Sequence, residues 1–108
     1  MTPHHDDRES LKQAAHRLLR ACRAALVRRA QRALLSRLLD TGEATADDVR
    51  DVVPLPDGIS PRVFGAAPKE LATAGIIVAA GYRKSRRPEA HARPVTVWHL
   101  RDRRAAVA

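Results

Sequence analysis

GIIVAAGYRKSRRPEAHARPVTVWHL, residues 75–100, reads as two short strands joined by an arginine-rich loop. Residues 76–82 and 94–100 are rich in β-branched and aromatic side chains, and are predicted to pair as an antiparallel hairpin. Val95 and Val97 alternate with Thr96, Trp98 and Leu100, and the expected register turns Trp98 and Leu100 toward the core. The intervening RKSRRPEAHAR is too long and too charged for a plain turn. Little else in the chain carries chemistry.

Upstream of this hairpin the pattern changes to helix. Ser60 is a predicted N-cap with Pro61 at the first helical position, and Gly75 closes the segment. Val63, Phe64, Ala67, Leu71 and Ala74 form its expected buried face. Pro68 falls in the interior, where it removes a hydrogen bond and crowds the Phe64 carbonyl. With Gly65 nearby, a kink or two short helices meeting near Ala67 is the expectation. PLPDGI, residues 54–59, is a turn-rich connector. Before it, residues 46–53 form a predicted second helix, capped by the Thr45/Asp48 pair and stopped at Pro54. Asp47 and Asp48 sit in its first turn, where the helix dipole favours them. With Asp51 they raise the question of a metal site. Capping accounts for the first two, no histidine lies in register, and a structural role is the expectation.

Residues 10–39 carry the longest helical signal, uninterrupted by Gly or Pro and rich in strong helix formers. Ser10 is its predicted N-cap. Leu11, Ala15, Leu18, Cys22, Ala25 and Leu26 recur at three- and four-residue spacing, opposite Arg17, Arg20, Arg23 and Arg28. Arg29 breaks the stripe before Ala30, Ala33, Leu34 and Leu38 resume it. Such a helix is longer than the first helix of a small domain requires. Residues 29–39 are therefore expected in the core and the earlier part as an outward extension, whose apolar stripe suits a second copy of the chain, the alternative being that it folds back on its own domain. Asp40, Thr41 and Gly42 end it, with Gly42 a natural C′ residue. The expected organisation is a disordered N-terminus (1–9), a helical extension that can dimerise (10–28), one compact domain (29–101) and a tail (102–108).

A chain of 108 residues has room for one such domain. Its three aromatics, Phe64, Tyr82 and Trp98, leave the core to Leu, Val, Ile and Ala. The net charge of +8 points to a polyanionic partner, although 17 arginines beside 20 alanines also fit a GC-rich coding bias. Distribution is more informative. Residues 10–39 hold eight basic side chains and no acid, residues 40–81 hold seven acids against three basic residues, and residues 82–108 hold eight basic residues against two acids. Cys22 is the single cysteine, which excludes an internal disulfide and any paired-cysteine zinc site. With no signal-peptide core or membrane-length apolar run, a cytoplasmic protein is expected. His4 and His5 lack a third ligand; His91 reads as a solvated loop histidine, the alternative being pH-sensitive binding, and His16 and His99, on a helix and at a strand end, carry no functional signal. No glycine-rich phosphate loop or nucleophile–base pattern is present, so no enzyme, cofactor or small-molecule substrate is expected.

The order helix, short GEAT segment, helix, helix, strand, basic loop, strand resembles the winged helix-turn-helix family of DNA-binding domains. TADDVRD, PRVFGAAPKELATAGII and GYRKSRRPEAHARPVTVW look like small winged-helix proteins of phages and mobile elements. The resemblance spans residues 29–100, and Pro68 and the long first helix depart from it. It implies a mainly α fold with a small β-hairpin, a winged helix-turn-helix with a long N-terminal extension. It also implies a regulatory or architectural protein whose third helix and wing contact duplex DNA. On the helix, Ser60, Arg62 and Lys69 are the exposed candidates; on the wing, Arg83, Lys84, Arg86, Arg87 and Arg93. Arginine forks suit phosphate oxygens and the guanine edge. Ser60 stands at a helix start, where free amides can hold a phosphate. The rival expectation is an assembly adapter on the same fold, with the basic helix docking an acidic protein and the wing a solvated loop.

Overall fold

The computed structural model describes residues 5–102 and 104. The order is α1 (His5–Thr41), β1 (Glu43–Ala44), α2 (Ala46–Val52), α3 (Val63–Thr73), β2 (Ile77–Lys84), a single 3₁₀ turn at Pro88–Ala90, and β3 (Pro94–Leu100). The strands form one antiparallel sheet in the order β1-β3-β2. Three helices followed by a strand–wing–strand unit, with a short first strand completing the sheet, make this a winged helix-turn-helix fold with a long N-terminal helix.

α1 supplies one side of the core. Leu26, Ala30, Leu34 and Leu38, each one turn after the last, are buried against Val49, Val53, Phe64, Ala67, Leu71 and Ile77. Full burial of side chains such as Leu34, Leu38 and Ile77 stabilises the fold by about 1.5–3 kcal/mol each. Trp98 and Leu100 pack on this cluster as the alternation required, and Val97 is buried as well. Core packing begins at Leu26, three residues before the anticipated boundary. Upstream of it α1 runs on as an exposed helix, with Leu11 69% and Leu18 66% exposed.

Chain termini of the helices follow local chemistry. At Gly42 (φ 86°) the amide returns to the Leu38 carbonyl, an αL stop. α3 ends in a Schellman arrangement, with Gly75 (φ 78°) bonding Ala72 O and Ile76 bonding Leu71 O. Thr45 and Asp48 form the expected reciprocal capping box on α2.

Several expectations need correction. α1 starts at His5, so residues 5–9 are helical and Ser10 lies inside the helix rather than capping it; residues 1–4 fall outside the described residues. The good helix formers downstream carry the helix past its apparent cap. The expected hairpin is present, and a short first strand extends it to three strands, Glu43 pairing with His99 and Ala44 with Trp98. A strand of two residues leaves no periodic trace in sequence. β2 and β3 pair with a bulge between Ala79 and Gly81, which bends the edge strand. α3 passes through Pro68 as one helix and not two, with Pro68 itself buried. Its start also differs: a turn spans residues 60–62, and Arg62 rather than Ser60 occupies the cap position. Of the tail, residues 103 and 105–108 lie outside the described residues.

Candidate nucleic-acid interface

The wing is held to α2 by carboxylates. Asp47 is only 4% exposed. Both its oxygens accept from the Ser85 hydroxyl at 3.0 Å, and its Oδ2 accepts the Arg86 amide at 2.8 Å. The Ser85 oxygen in turn accepts the Arg87 amide at 3.2 Å, so one buried carboxylate orders three consecutive residues. The sequence pattern explains Asp47 by helix capping. Of the two carboxylates only Asp48 caps, its Oδ2 accepting the Thr45 amide at 2.9 Å. A capping box needs one acidic residue, and the surplus carboxylate beside it was the available signal for Asp47.

Ion pairs extend this anchorage. Arg86 Nη2 donates to Asp48 Oδ1 at 3.0 Å and to Asp51 Oδ2 at 2.9 Å, bridging two turns of α2. Arg83 Nη2 donates to Glu43 Oε1 at 2.7 Å, tying β2 to β1 across the sheet. His99 Nε2 stands 3.8 Å from Glu43 Oε2, a charged contact when His99 is protonated. The hydrogen bond from Arg83, then its charge, holds the Glu43 carboxyl below the usual range. Asp47, Asp48 and Asp51 thus serve the wing, and the described residues contain no cluster suited to a metal. Beyond Ser85 the wing closes through Ser85 N to Arg93 O (2.8 Å), with His91 and Ala92 in left-handed conformations.

The remaining candidates stand differently. Arg62 at the cap of α3, Lys69 on α3, and Lys84 and Arg93 on the wing are exposed, and their side chains have no intramolecular polar partner among the described residues. Arg87 is half-buried and engaged within the protein. Ser60 is exposed, but the expected free amides beside it are occupied. Arg62 N bonds the Ser60 hydroxyl at 3.3 Å, and Val63, Phe64 and Gly65 bond the carbonyls of Ser60, Pro61 and Arg62. Pro61 has no amide hydrogen to offer.

The first helix carries a second set of cations. Lys12, Arg17, Arg20, Arg23, Arg28, Arg29, Arg32 and Arg37 are all exposed, and none of their side chains has an ion-pair or hydrogen-bond partner among the described residues. Arg23 and Val27 share a depression of about 450 Å³ with Ser60, Arg62 and Val63, which joins α1 to the start of α3.

No protein-family model matches the chain, and none of the curated proteins matches it. Among solved structures, the crystal structure of a MarR family transcription regulator is similar, at 29% identity and a TM-score of 0.41. The likeness covers 94% of this chain and 66% of that one. That score is too low to carry the fold or the function, which rest on this chain's own topology and charges. No helix among the described residues is long and apolar enough to cross a membrane.

Proposed function

We propose that the chain is a double-stranded DNA-binding winged-helix protein with a role in transcription regulation or DNA architecture, acting in the cytoplasm without catalysis, cofactor or small-molecule substrate. The observation that carries this reading is the pairing of winged helix-turn-helix topology with unpartnered cations on the two elements that this topology turns outward. Arg62 caps α3, Lys69 lies on it, and Lys84 and Arg93 lie on the wing. Arg83, Arg86 and Arg87 set the wing's position first; they reach phosphate only by sharing or exchanging their present partners. Ser60 offers a hydroxyl. Contacts of this kind position the duplex more than they read bases.

A homodimer through α1 forms the second part of the proposal. Leu11, Ala15, Leu18, Cys22 and Ala25 repeat at alternating four- and three-residue steps on the exposed extension. Arg17, Arg20 and Arg23 fall outside that seam, so the chains can approach without opposing these cations. In the full chain, Leu11→Glu with Leu18→Glu should convert dimer to monomer in sedimentation.

Binding to duplex DNA across a salt series tests the main reading. Log affinity should fall against log salt with a slope of about −3 to −6, from roughly four to six phosphate contacts. Absence of binding at low salt overturns it in favour of a protein-assembly adapter.

A further inference from the structure

We infer that the arginine face of the α1 extension is itself a phosphate-binding surface, whose occupant is the backbone of the same duplex that α3 and the wing address. This rests on the DNA-binding reading and assigns that activity residues outside the helix-turn-helix and the wing.

Charge is the first ground. Between residues 10 and 39 the chain places eight cations and no carboxylate, and the acidic residues of α1 (Asp6, Asp7, Glu9 and Asp40) stand at its two ends, eight or more residues from Arg17, Arg20 and Arg23. Arg17, Arg20 and Arg23 succeed one another at three-residue spacing, where like charges repel. No carboxylate from another element approaches them among the described residues. The wing, by contrast, commits Arg83 and Arg86 to Glu43, Asp48 and Asp51. A polyanion relieves the repulsion on α1 directly, whereas on the wing it must compete with carboxylates already in place.

Direction is the second. Lys12, Arg20 and Arg23 follow at spacings of eight and three residues, which puts them along one side of the helix. Val27 and Gln31 continue that line into the domain. Gln31 Nε2 donates to Glu70 Oε2 at 2.8 Å and to the Ala67 carbonyl at 3.4 Å, so this side of α1 faces α3. Arg23 and Arg62 line the same depression. The row of cations therefore runs into the N-terminal end of α3 instead of pointing away from it. From Lys12 to Arg23 it extends about 16 Å at a rise of roughly 1.5 Å per residue. With phosphates advancing about 3.4 Å per step along one strand, that length matches several consecutive groups.

The opposite face selects the partner. An Arg-rich helix with an apolar side can also lie on an anionic membrane, but such helices bury bulky Trp, Phe or Leu. Here Ala14, Ala15, Ala21 and Ala25 dominate that side beside Leu11 and Leu18. Small residues suit close contact with a second helix. Dimerisation and phosphate binding therefore use different faces and do not compete.

The test is the duplex salt series on the full chain carrying Arg17→Ala, Arg20→Ala and Arg23→Ala, substitutions that keep helix propensity. The slope should flatten by about 2 to 3 units, close to one per lost phosphate contact, with helicity and sedimentation unchanged. The matching Arg→Lys triple variant should keep nearly the parent slope, which excludes misfolding as the cause. An unaltered slope in the alanine variant overturns this inference and leaves the DNA-binding reading standing. Failure of the parent chain to bind duplex at low salt overturns both. Its binding instead to phosphatidylserine vesicles, with loss in the alanine variant, reassigns the face to a membrane.

Discussion

Two regions of this protein are rich in arginine, and they put it to opposite uses. Arg83 and Arg86 in the wing are tied to Glu43, Asp48 and Asp51, while Arg17, Arg20 and Arg23 on α1 have no partner among the described residues. Counting basic residues by segment ranks the two regions equally, at eight each. Their surroundings do not: the wing folds over an acidic helix, and the α1 extension folds over nothing. The difference teaches that a basic loop beside an acidic segment is first an internal fastening. Its capacity for an external anion is what remains after that.

The sharpest division lies within α1. Leu34→Ala, at a fully buried position, should cost about 2–5 kcal/mol in chemical denaturation. Leu18→Ala on the extension should leave the domain's own stability within about 0.5 kcal/mol, measured at a concentration where the chain is monomeric. A large loss at Leu18 in the monomer would mean that the extension folds back, and the contrast would disappear.

Asp47→Ala probes the other side of the comparison. It strips two donors, the Ser85 hydroxyl and the Arg86 amide, of a buried charged acceptor. The expected cost is about 1.5–3 kcal/mol. Amide exchange at Arg86 should accelerate more than at core positions of α1. Uniform acceleration would show that the wing is not a separately fastened unit.

Smaller effects are expected when the wing's cations are compared with one another. Lys84→Ala with Arg93→Ala should flatten the duplex salt slope by about 1 to 2 units, one per phosphate contact. Arg83→Ala with Arg86→Ala should flatten it less, because these groups begin the reaction paired, and should loosen the wing as well. Equal changes in slope would erase the distinction between fastened and available arginines.

The smallest effect is the response to acid. Glu43 is held below the ordinary carboxylate range by Arg83, so folding is favoured above that range and the contribution disappears as pH falls through the lowered value. The β1–β2 fastening should therefore hold at neutral pH and loosen only in acid, below the ordinary carboxylate range. Glu43→Gln should remove that step from an acid titration of wing amide exchange while leaving the neutral-pH fold intact.

Much of the architecture was legible from local rules. Gly42 and Gly75 mark helix ends because they supply left-handed φ, Thr45 with Asp48 marks a start, and the 94–100 alternation places Trp98 and Leu100 on the core. Other features needed contacts distant in sequence. β1 exists only because β3, more than fifty residues later, pairs with it. The roles of Asp47 and Asp51 depend on the wing returning to α2, at separations of 35 to 39 residues. Opposed charge in the 40–81 and 82–108 segments hinted at that return without saying which side chains would meet.

The amino-acid order by itself determined the three helices, the hairpin, the aliphatic core and the placement of basic residues at both ends. Helical and strand periods and cap chemistry act over a few residues, and they can be read without knowing what else is nearby. Only the tertiary structure decided which arginines are available. Availability depends on whether a carboxylate far along the chain comes within hydrogen-bond distance, and chain folding alone brings the two together.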